Sequence, residues 1–237
     1  MNHTPPDSAA LKRAAATKAL DYVENNMKLG LGTGSTAEAF LEVLAPRVRG
    51  GLAIMGVATS ERTAIKARNL GIPVAELDQV GDLDLVVDGA DEADGDLNLI
   101  KGGGGAHLIE KIVATSSKKM VVIADGSKLV KRLGKYPLPV EVVTFAHATT
   151  ARRIAEAAKK MRRDIVPALR MKDGAVFVTD SGNYIYDCAF KSIANPAKLA
   201  AVLSVIPGVV EHGLFVGIAS TLILARESGI EVIEKKP

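Results

Sequence analysis

The sequence predicts an α/β protein whose first part forms a mostly parallel sheet and whose second part is a smaller α+β domain. Two observations support this prediction. In the first half, short apolar runs that end in Gly or Asp alternate with helical stretches, and strands that alternate with helices usually pair in parallel. Near Tyr136-Pro-Leu-Pro139 the pattern changes to a β-α-β-β order followed by a second α-β pair. Ligands of mostly parallel sheets bind beyond the carboxyl ends of the strands.

Capping residues, glycines and apolar periodicity define the elements of the first part. In chain order they are a helix from the Asp7-Ser8 cap to about Asn26, a strand and tight turn over Met27 to Gly34, a helix from about Thr36 to Val48, a strand over Leu52 to Ala58, a helix over Glu61 to Asn69, a strand over Pro73 to Leu77, a strand over Leu83 to Val87, a helix that begins at His107, and a strand over Lys119 to Ala124.

The second part is predicted in the same way. Its elements are a strand over Val140 to Thr144, a helix over Thr149 to Arg163, a strand ending near Met171, a hairpin of AVFVTD and NYIYDCAF joined by Ser181-Gly182-Asn183, a helix over Pro196 to Ile206 and the strand-like VVEHGLF. We expect the last stretch, Val216 to Lys235, to rejoin the first sheet. The basic residues near the end of the first of these helices, Lys159 to Arg163, are interpreted as its exposed face.

Composition excludes several classes of protein. The chain has 237 residues, 48% hydrophobic and 24% charged, which is ordinary for a globular protein with a substantial core. A net charge of +3 without a basic block gives little support to nucleic-acid binding. The single Cys188 fits a reducing compartment and is predicted to be buried and inert. Neither a signal peptide nor a run of membrane-spanning length is evident. We therefore expect a cytoplasmic protein with no membrane or nucleic-acid partner.

The stretch from Asp88 to Glu110 carries the densest set of chemical groups. It follows an apolar strand and reads DGADEADGDLNLIKGGGGAHLIE. Asp88 and Asp91 come at the carboxyl end of the strand, Lys101 precedes four glycines, and Glu110 lies in the first turn of the next helix. Four consecutive glycines suit a backbone that approaches a ligand closely or adopts positive φ, although a flexible surface turn is the plain alternative. This inventory suits proton transfer on a small anionic substrate.

A second glycine turn, KLGLGTGST, joins a strand to a helix. Such a turn offers backbone N–H groups to a phosphate, and Thr33, Ser35 and Thr36 add hydroxyl groups. It is not the dinucleotide fingerprint, because that motif needs glycine where Ser35 stands. Glycines that serve only a tight turn are the alternative. Because Thr33, Asp88 and Asp125 all follow predicted strands, we expect them at one edge of the sheet.

The motifs GLGTGSTA, DGADE, KGGGGA, ADGSK and GKYPLPVEV, in this order, resemble the type A family of ribose-5-phosphate isomerases, as do TDSGNYIYD and IPGVVEHGLF. The resemblance covers nearly all of the chain. It implies a Rossmann-like, mostly parallel sheet domain (1–134 plus 215–237) that carries a smaller inserted α+β domain of the split βαβ, ferredoxin-like kind (135–214). It also implies conversion of ribose 5-phosphate to ribulose 5-phosphate without metal or organic cofactor, in a homodimer or homotetramer.

The resemblance assigns roles to individual positions. Glu110 matches the general base, Asp88 and Asp91 the paired carboxylates, and Lys101 the active-site lysine. The substrate-binding positions it implies are Gly32, Thr33, Gly34, Ser35, Thr36, Gly102, Gly103, Gly104, Gly105 and Lys128. The chain departs from bacterial members at Ala106-His-Leu-Ile109, where they have Ala-Leu-Thr-Arg. For His107 we favour a structural or solvent-facing role over contact with substrate.

The chemistry of aldose–ketose exchange explains these residue types. One base, Glu110, would move a proton between C2 and C1 through an enediolate. Lys101 and the glycine amides would stabilise the negative charge, and Asp88 would handle protons on O1 or the ring oxygen. The phosphate would bind the Gly32 to Thr36 turn and Lys128.

Three alternatives stay open at the level of sequence. The carboxylates could bind a divalent metal, although Lys101 in the same stretch argues against it. A related enzyme, such as an amino-sugar-phosphate deaminating isomerase or a CoA-transferase, would also combine glycine loops with Glu. A non-catalytic sugar-phosphate sensor would keep the phosphate turn and lose the base.

Overall fold

The computed structural model describes residues 8–235. In chain order its elements are α1 (Ser8–Ala19), a 3-10 helix (Leu20–Tyr22), β1 (Met27–Leu31), α2 (Ser35–Arg49), β2 (Ile54–Ala58), α3 (Glu61–Asn69), α4 (Leu77–Val80), β3 (Leu85–Asp88), β4 (Glu92–Ala93), β5 (Leu99–Ile100), α5 (His107–Thr115), β6 (Met120–Asp125), a 3-10 helix (Gly126–Lys128), β7 (Leu138–Val142), α6 (His147–Lys160), β8 (Ala168–Leu169), β9 (Met171–Lys172), β10 (Ala175–Val176), β11 (Tyr184–Cys188), α7 (Pro196–Ser204), β12 (Val209–His212), β13 (Leu214–Phe215), β14 (Thr221–Arg226) and β15 (Gly229–Glu234).

The described chain divides into two compact units. The larger unit comprises residues 8–90, 109–128 and 218–235, and the smaller unit comprises 91–108 and 129–217. The ranges expected from sequence, 1–134 plus 215–237 and 135–214, divide the chain differently. The reason is a three-stranded sheet in which β5 pairs with β4 on one side and β13 on the other, so that residues near 92–100 associate with the smaller unit.

A six-stranded sheet of order β15-β14-β6-β3-β1-β2 organises the larger unit. All neighbouring pairs are parallel except β14 and β15. This confirms the predicted mostly parallel sheet and the return of the C-terminal stretch to it. Strands β3 and β6 are buried along almost their whole length, as expected of parallel strands covered on both faces.

The core of the larger unit forms between helices and this sheet. Ala15, Ala16 and Ala19 of α1 and Phe40 and Leu44 of α2 are buried against strand residues. Small alanine side chains allow α1 to approach its neighbours closely, and its last basic residue lies in the final turn, where it complements the helix dipole.

The smaller unit contains a four-stranded antiparallel sheet of order β12-β7-β11-β8. Helix α6 connects β7 to β8, and α7 connects β11 to β12. Counting only these four strands in chain order, the sheet order is 4-1-3-2, which confirms the split βαβ, ferredoxin-like plan. Ile154 of α6 and Leu199 and Leu203 of α7 pack against Val140 and Cys188 of the sheet.

Some predicted elements differ from the structure. The predicted strand over Pro73 to Leu77 forms only an isolated bridge at Val74, and a short helix, α4, begins at Leu77. The predicted hairpin forms only at its turn, where Val178 and Tyr184 make one antiparallel bridge and the N–H of Thr179 donates to the carbonyl of Asn183 at 2.9 Å. Beyond the turn, β11 pairs with β7 and β8, while β10 pairs with β9. The Asp7 cap lies outside the described residues. Cys188 is buried as predicted, and burial raises the pKa of its thiol to about 12. Within residues 8–235, no helix is long and apolar enough to span a bilayer.

Candidate active site

Three parallel strands of the larger unit end at one edge of the sheet. Strand β3 lies between β1 and β6, with Leu31 beside Val87 and Asp88 beside Val122. The residues that follow the ends of β1, β3 and β6 are therefore neighbours, which confirms the expected convergence of Thr33, Asp88 and Asp125 within this unit. We call this the carboxyl edge of the sheet.

Asp88 fixes the turn that follows β1. Its Oδ1 accepts the N–H of Thr33 at 3.1 Å and the N–H of Gly89 at 2.7 Å, and the residue is only 1% exposed. Gly32 allows this approach, because a Cβ at that position would stand 2.1 Å from the same Oδ1. A side chain at residue 32 is therefore incompatible with the turn as it is built.

The hydroxyl of Thr33 turns inward. Its Oγ1 lies 2.7 Å from Oγ1 of Thr59, 2.8 Å from Oγ of Ser60 and 3.1 Å from Oγ1 of Thr63. Ser60 is also the N-cap of α3 and accepts the N–H of Thr63 at 3.2 Å. These hydroxyl groups connect the turn after β1 to the turn after β2. The side chain of Thr33 therefore helps to hold the turn after β1 in place.

The N-terminus of α2 follows the turn directly. Gly34 has a φ of 105°, a conformation that favours glycine, and its carbonyl accepts the N–H of Glu38 at 2.8 Å. Ser35 opens the helix with its side chain exposed, and Thr36 follows, half-buried near Gly89. The free N–H groups of this fifteen-residue helix suit an anion.

Lys12 of α1 also reaches this turn. Its Nζ lies 3.0 Å from Oγ of Ser35. No sequence motif marks Lys12, since it lies in an alanine-rich helix more than twenty residues before the turn. Only the packing of α1 beside α2 brings the two together, and the one sequence signal was a basic residue at the start of a helix that is otherwise rich in alanine.

Two lysines, Lys128 and Lys12, help to lower the pKa of the Asp125 carboxyl group at the end of β6. Burial by itself raises its pKa, but hydrogen bonds from the side chain and the N–H of Ser127, together with the charges of Lys128 and Lys12, lower the pKa of Asp125 below its ordinary value. Lys12 of α1 and Lys128 of the 3-10 helix after β6 are thus both near enough to Asp125 to act on its carboxylate, and Lys12 also bonds Ser35 at the N-terminus of α2. Together they suit a phosphate dianion.

Helix α5 runs antiparallel to β3. Leu83, which precedes the strand, donates its N–H to the carbonyl of Ser116, which follows the helix, at 2.8 Å. The end of the helix therefore lies at the amino edge of the sheet. Its beginning, which carries Glu110, is directed toward the carboxyl edge.

Glu110 and Asp88 are both directed from the level of Gly30 toward the carboxyl edge. Side-chain atoms of Val113 and Val86 each lie 2.7 Å from the place where a Cβ on Gly30 would stand, so the two valines are level. Glu110 lies one turn before Val113, about 5 Å along the helix, and its side chain points toward the helix N-terminus. Asp88 lies two residues, about 7 Å, beyond Val86. Both carboxylates are buried, at 4% and 1% exposure.

The four glycines form a tight loop in the smaller unit. Asp91 accepts the N–H of Gly103 at its Oδ2, at 2.7 Å, and the carbonyl of Gly102 accepts the N–H of Gly105 at 2.9 Å. Gly102 has a φ of 102°, which a residue with a side chain rarely adopts. Asp91 is therefore a structural partner of the loop, whatever further role it has.

Lys101 is almost fully buried, at 3% exposure. Its N–H donates to the carbonyl of Gly213 at 2.9 Å, and its Nζ lies 5.6 Å from the centre of the Phe215 ring. An ammonium over an aromatic face is favourable, and this contact fixes the direction of a long, flexible side chain.

His107 is fully buried in the smaller unit, so the solvent-facing position considered for it does not occur. Its Nε2 lies 3.7 Å from Oε2 of Glu141, which is 1% exposed. The other oxygen, Oε1, accepts hydrogen bonds from Thr179 at 2.9 Å and Asn183 at 3.0 Å. His107 also packs against the glycine loop, since a Cβ on Gly102 would stand 2.7 Å from its Nδ1.

Burial raises the pKa of the Glu141 carboxyl above its ordinary value. Hydrogen bonds from Asn183 and Thr179 oppose this effect, and the nearby charges of Glu211 and Asp180 add to it. Among residues 8–235, the structure contains no group of three or more His, Cys, Asp or Glu side chains placed to hold a metal ion.

Comparisons with known proteins agree with this architecture. The model of the family Ribose 5-phosphate isomerase A (phosphoriboisomerase A) matches residues 55–229. Ribose-5-phosphate isomerase A of Parvibaculum lavamentivorans is 57% identical over 224 residues, which are 94% of this chain and 97% of that protein. A solved ribose 5-phosphate isomerase from Plasmodium falciparum is 36% identical with a TM-score of 0.91, covering 97% of this chain and 100% of that one. A solved D-ribose-5-phosphate isomerase in complex with phospho-erythronic acid is 38% identical with a TM-score of 0.90 and the same coverage. The chain belongs to the ribose 5-phosphate isomerase A family.

Proposed function

We propose that the chain interconverts D-ribose 5-phosphate and D-ribulose 5-phosphate, with Glu110 as the base that moves a proton between C2 and C1. The observation that carries this proposal is the burial of Glu110 in the first turn of α5, a helix whose beginning is directed toward the carboxyl edge, where Asp88 holds the glycine turn that follows β1. A positioned carboxylate of this kind typically accelerates proton transfer about 10²–10⁴-fold.

The substrate phosphate is assigned to the N-terminus of α2. Lys12 and Ser35, 3.0 Å apart, and Lys128 beside Asp125 supply the side-chain donors. Gly32 to Thr36 supply the helix amides. Fixing the phosphate there holds C1 and C2 in place for the base, and loss of such positioning lowers the rate of an otherwise intact site.

The negative charge of the enediolate is assigned to Lys101 and the glycine loop. The N–H groups of Gly103 and Gly105 already donate to Asp91 and to the carbonyl of Gly102. This makes the N–H groups of Gly102 and Gly104 the better candidates to bind the oxyanion. A preorganised donor of this kind is often worth about 3 kcal/mol in the transition state.

Proton transfers at oxygen are assigned to Asp88. Because its Oδ1 accepts hydrogen bonds from two backbone N–H groups, we assign proton transfer at O1 or at the ring oxygen to Oδ2. The carbon-bound proton leaves C2 as Glu110 takes it and returns to C1, so the reaction balances without an oxidant, and the proposal invokes no metal or organic cofactor.

The complex of the related isomerase with phospho-erythronic acid supports this assignment of substrate class. A phosphorylated sugar acid carries a phosphate at one end and a carboxylate at the other. A carboxylate spreads negative charge over two oxygens, as an enediolate does, so a site that binds such an acid suits an enediolate intermediate.

We also propose that the protein works in the cytoplasm as a homodimer or homotetramer. The buried, unpaired thiol of Cys188 suits a reducing compartment. Phe145, Val166 and Val205 of the smaller unit are at least three-quarters exposed in the single chain, and association would cover such side chains. Light scattering of the purified protein decides between monomer, dimer and tetramer.

The test of the activity is turnover of ribose 5-phosphate by purified protein in D₂O, with and without EDTA. We expect ribulose 5-phosphate at a rate that the chelator does not change, with deuterium at C1 in those turnovers in which Glu110 exchanges its proton with solvent before returning it. Absence of turnover would contradict the proposed function and favour a sugar-phosphate sensor. Loss of activity in EDTA would contradict the mechanism without metal.

A further inference from the structure

Arg170 contacts the carbonyl side of the glycine loop within the smaller unit. Its Nη1 donates to the carbonyl of Gly102 at 2.8 Å and lies 3.4 Å from the carbonyl of Gly103. Charge-assisted hydrogen bonds of a guanidinium are among the stronger ones in proteins. The same side chain lies 5.9 Å from the centre of the Phe177 ring, and that ring fills the space beside Gly105.

Asp187 holds the guanidinium in this orientation. Its two oxygens accept hydrogen bonds from Nε of Arg170 at 2.9 Å and from Nη2 at 2.5 Å, a bidentate arrangement. The two side chains are 12% and 27% exposed. The backbone fixes the pair as well, because β8 pairs with β11 and the N–H of Arg170 donates to the carbonyl of Ile185 at 2.8 Å. The remaining nitrogen of the guanidinium, Nη1, therefore faces the glycine loop.

These contacts determine the direction of the loop peptides. In a trans peptide the C=O and the N–H point in opposite directions. The peptide between Gly102 and Gly103 is held at both ends, with its carbonyl on Arg170 and its N–H on Asp91 at 2.7 Å. In the next peptide the carbonyl of Gly103 faces Arg170, so the N–H of Gly104 points away from it.

We propose that Arg170, held by Asp187, is a positioning residue that orients the glycine loop so that the N–H of Gly104 is presented to the enediolate oxygen. This inference rests on the proposed isomerase function and assigns Arg170 no contact with substrate. The plain alternative is an ion pair that only joins β8 to β11. An ion pair with only that role would use Nε and Nη2 of Arg170, and it would not require Nη1 to donate to the carbonyl of Gly102.

The first test compares the kinetics of Arg170→Met, Arg170→Lys and Asp187→Asn with the wild type. We expect Arg170→Met to lower kcat about 10- to 100-fold, less than the loss of a whole oxyanion donor, with KM changed less than about twofold. Lys keeps the charge but not the planar fork, so Arg170→Lys should lie in between. Arg152→Met, an exposed arginine of α6 in the same unit, is the matched control and should leave both constants unchanged.

The second test separates loop orientation from folding and from the proposed activity. Calorimetry measures the binding of inorganic phosphate and of phospho-erythronic acid to each variant. We expect Arg170→Met to weaken the acid about tenfold and to leave phosphate binding unchanged, because only the acid places a carboxylate on the loop. Circular dichroism shows whether Arg170→Met is folded. If it is not, the same comparison of phosphate and phospho-erythronic acid affinities is made with Asp187→Asn, which keeps the arginine.

Each outcome has one meaning. A kcat within about twofold of wild type in both Arg170→Met and Asp187→Asn would overturn the proposal, as would equal losses of phosphate and acid affinity. A wild type that binds both probes but does not turn over ribose 5-phosphate would overturn the proposed function. In that case the affinity ratio of the two probes still tests the role of Arg170 in orienting the loop.

Discussion

The carboxylate of Asp88 and the backbone N–H of Thr33 are joined at 3.1 Å, with Asp88 almost completely buried. A group at the end of β3 therefore builds the turn that follows β1, across two neighbouring parallel strands. The anion-binding turn and the carboxylate assigned to proton transfer are thus parts of one structure. A change in either one should affect the other.

Gly32→Ala tests this relation. The new Cβ would stand 2.1 Å from Oδ1 of Asp88, so the carboxylate or the turn must move. We expect a loss of about 1–3 kcal/mol in the free energy of unfolding, as for other overpacked sites, together with a higher KM for ribose 5-phosphate. Urea denaturation and steady-state kinetics measure the two effects.

The matched control for that change is Gly95→Ala. Gly95 lies in an exposed turn, and a Cβ there would meet no heavy atom within 4 Å. We expect stability and kinetics close to wild type. If Gly32→Ala were equally silent, the close contact with Asp88 would have no energetic weight.

Lys12→Met should raise KM for ribose 5-phosphate while kcat changes little. A hydrogen bond to a charged group is worth about 1.5–3 kcal/mol, which corresponds to a rise of about 10- to 100-fold. Lys128→Met should act in the same direction, and Thr36→Ala more weakly, by about 2- to 10-fold, because its hydroxyl is uncharged. Inhibition constants for inorganic phosphate should follow the same ranking.

Lys18→Met is the control for Lys12→Met. It removes a lysine from the same helix whose Nζ is bonded to Asp21 at 2.8 Å on the surface. Surface ion pairs contribute little, so this variant should bind substrate normally. A rise in KM of similar size in both variants would show that general charge, rather than contact with the α2 turn, explains the effect of Lys12.

Glu141→Gln tests the buried carboxyl beside His107. Burial raises the pKa of Glu141, so its folded form favours the proton more than its unfolded form does. The stabilisation is therefore present at acidic pH, below the unfolded pKa, and is lost as pH rises through the folded pKa. Glutamine does not titrate. We expect the difference in melting temperature, variant minus wild type, to become more positive as the pH rises above the ordinary pKa of a glutamate, about 4.3.

The charged groups around Glu141 are His107, Glu211 and Asp180, and a protonated imidazole at His107 would reduce this trend. His107→Asn in the Glu141→Gln background separates the two contributions. Glu156→Gln, an exposed glutamate of α6, serves as the control and should show no trend with pH. A difference in melting temperature for Glu141→Gln that is independent of pH would contradict the account.

Local patterns were sufficient for most of the fold. The fully apolar runs that became β3 and β6 are typical of strands buried on both faces, and their terminal aspartates marked the carboxyl edge. Sequence-based prediction failed where the structure depends on which strands pair with each other. The hairpin predicted for Tyr184–Cys188 is limited to one bridge with Val178, because β7 provides a longer partner. Pro73–Leu77 had a strand composition but found only a bridge at Val74.

The candidate site divides in the same way. Glycine motifs and the carboxylates near them are local signals, so their positions could be predicted. Lys12 and Arg170 could not, because a basic residue in an alanine-rich helix or between two short strands has no distinctive sequence pattern around it. Their contacts with Ser35 and Gly102 arise only from tertiary packing. The inward hydroxyl of Thr33 was hidden for the same reason.

The role of Glu110 is tested most directly by the turnover of ribose 5-phosphate in Glu110→Gln. Glutamine keeps the size of the side chain and removes the base, so we expect kcat to fall about 10²–10⁴-fold. Affinity for phospho-erythronic acid should be largely preserved, which shows an intact binding site. A kcat equal to that of the wild type would contradict the account, because the proton would then move between C2 and C1 without Glu110.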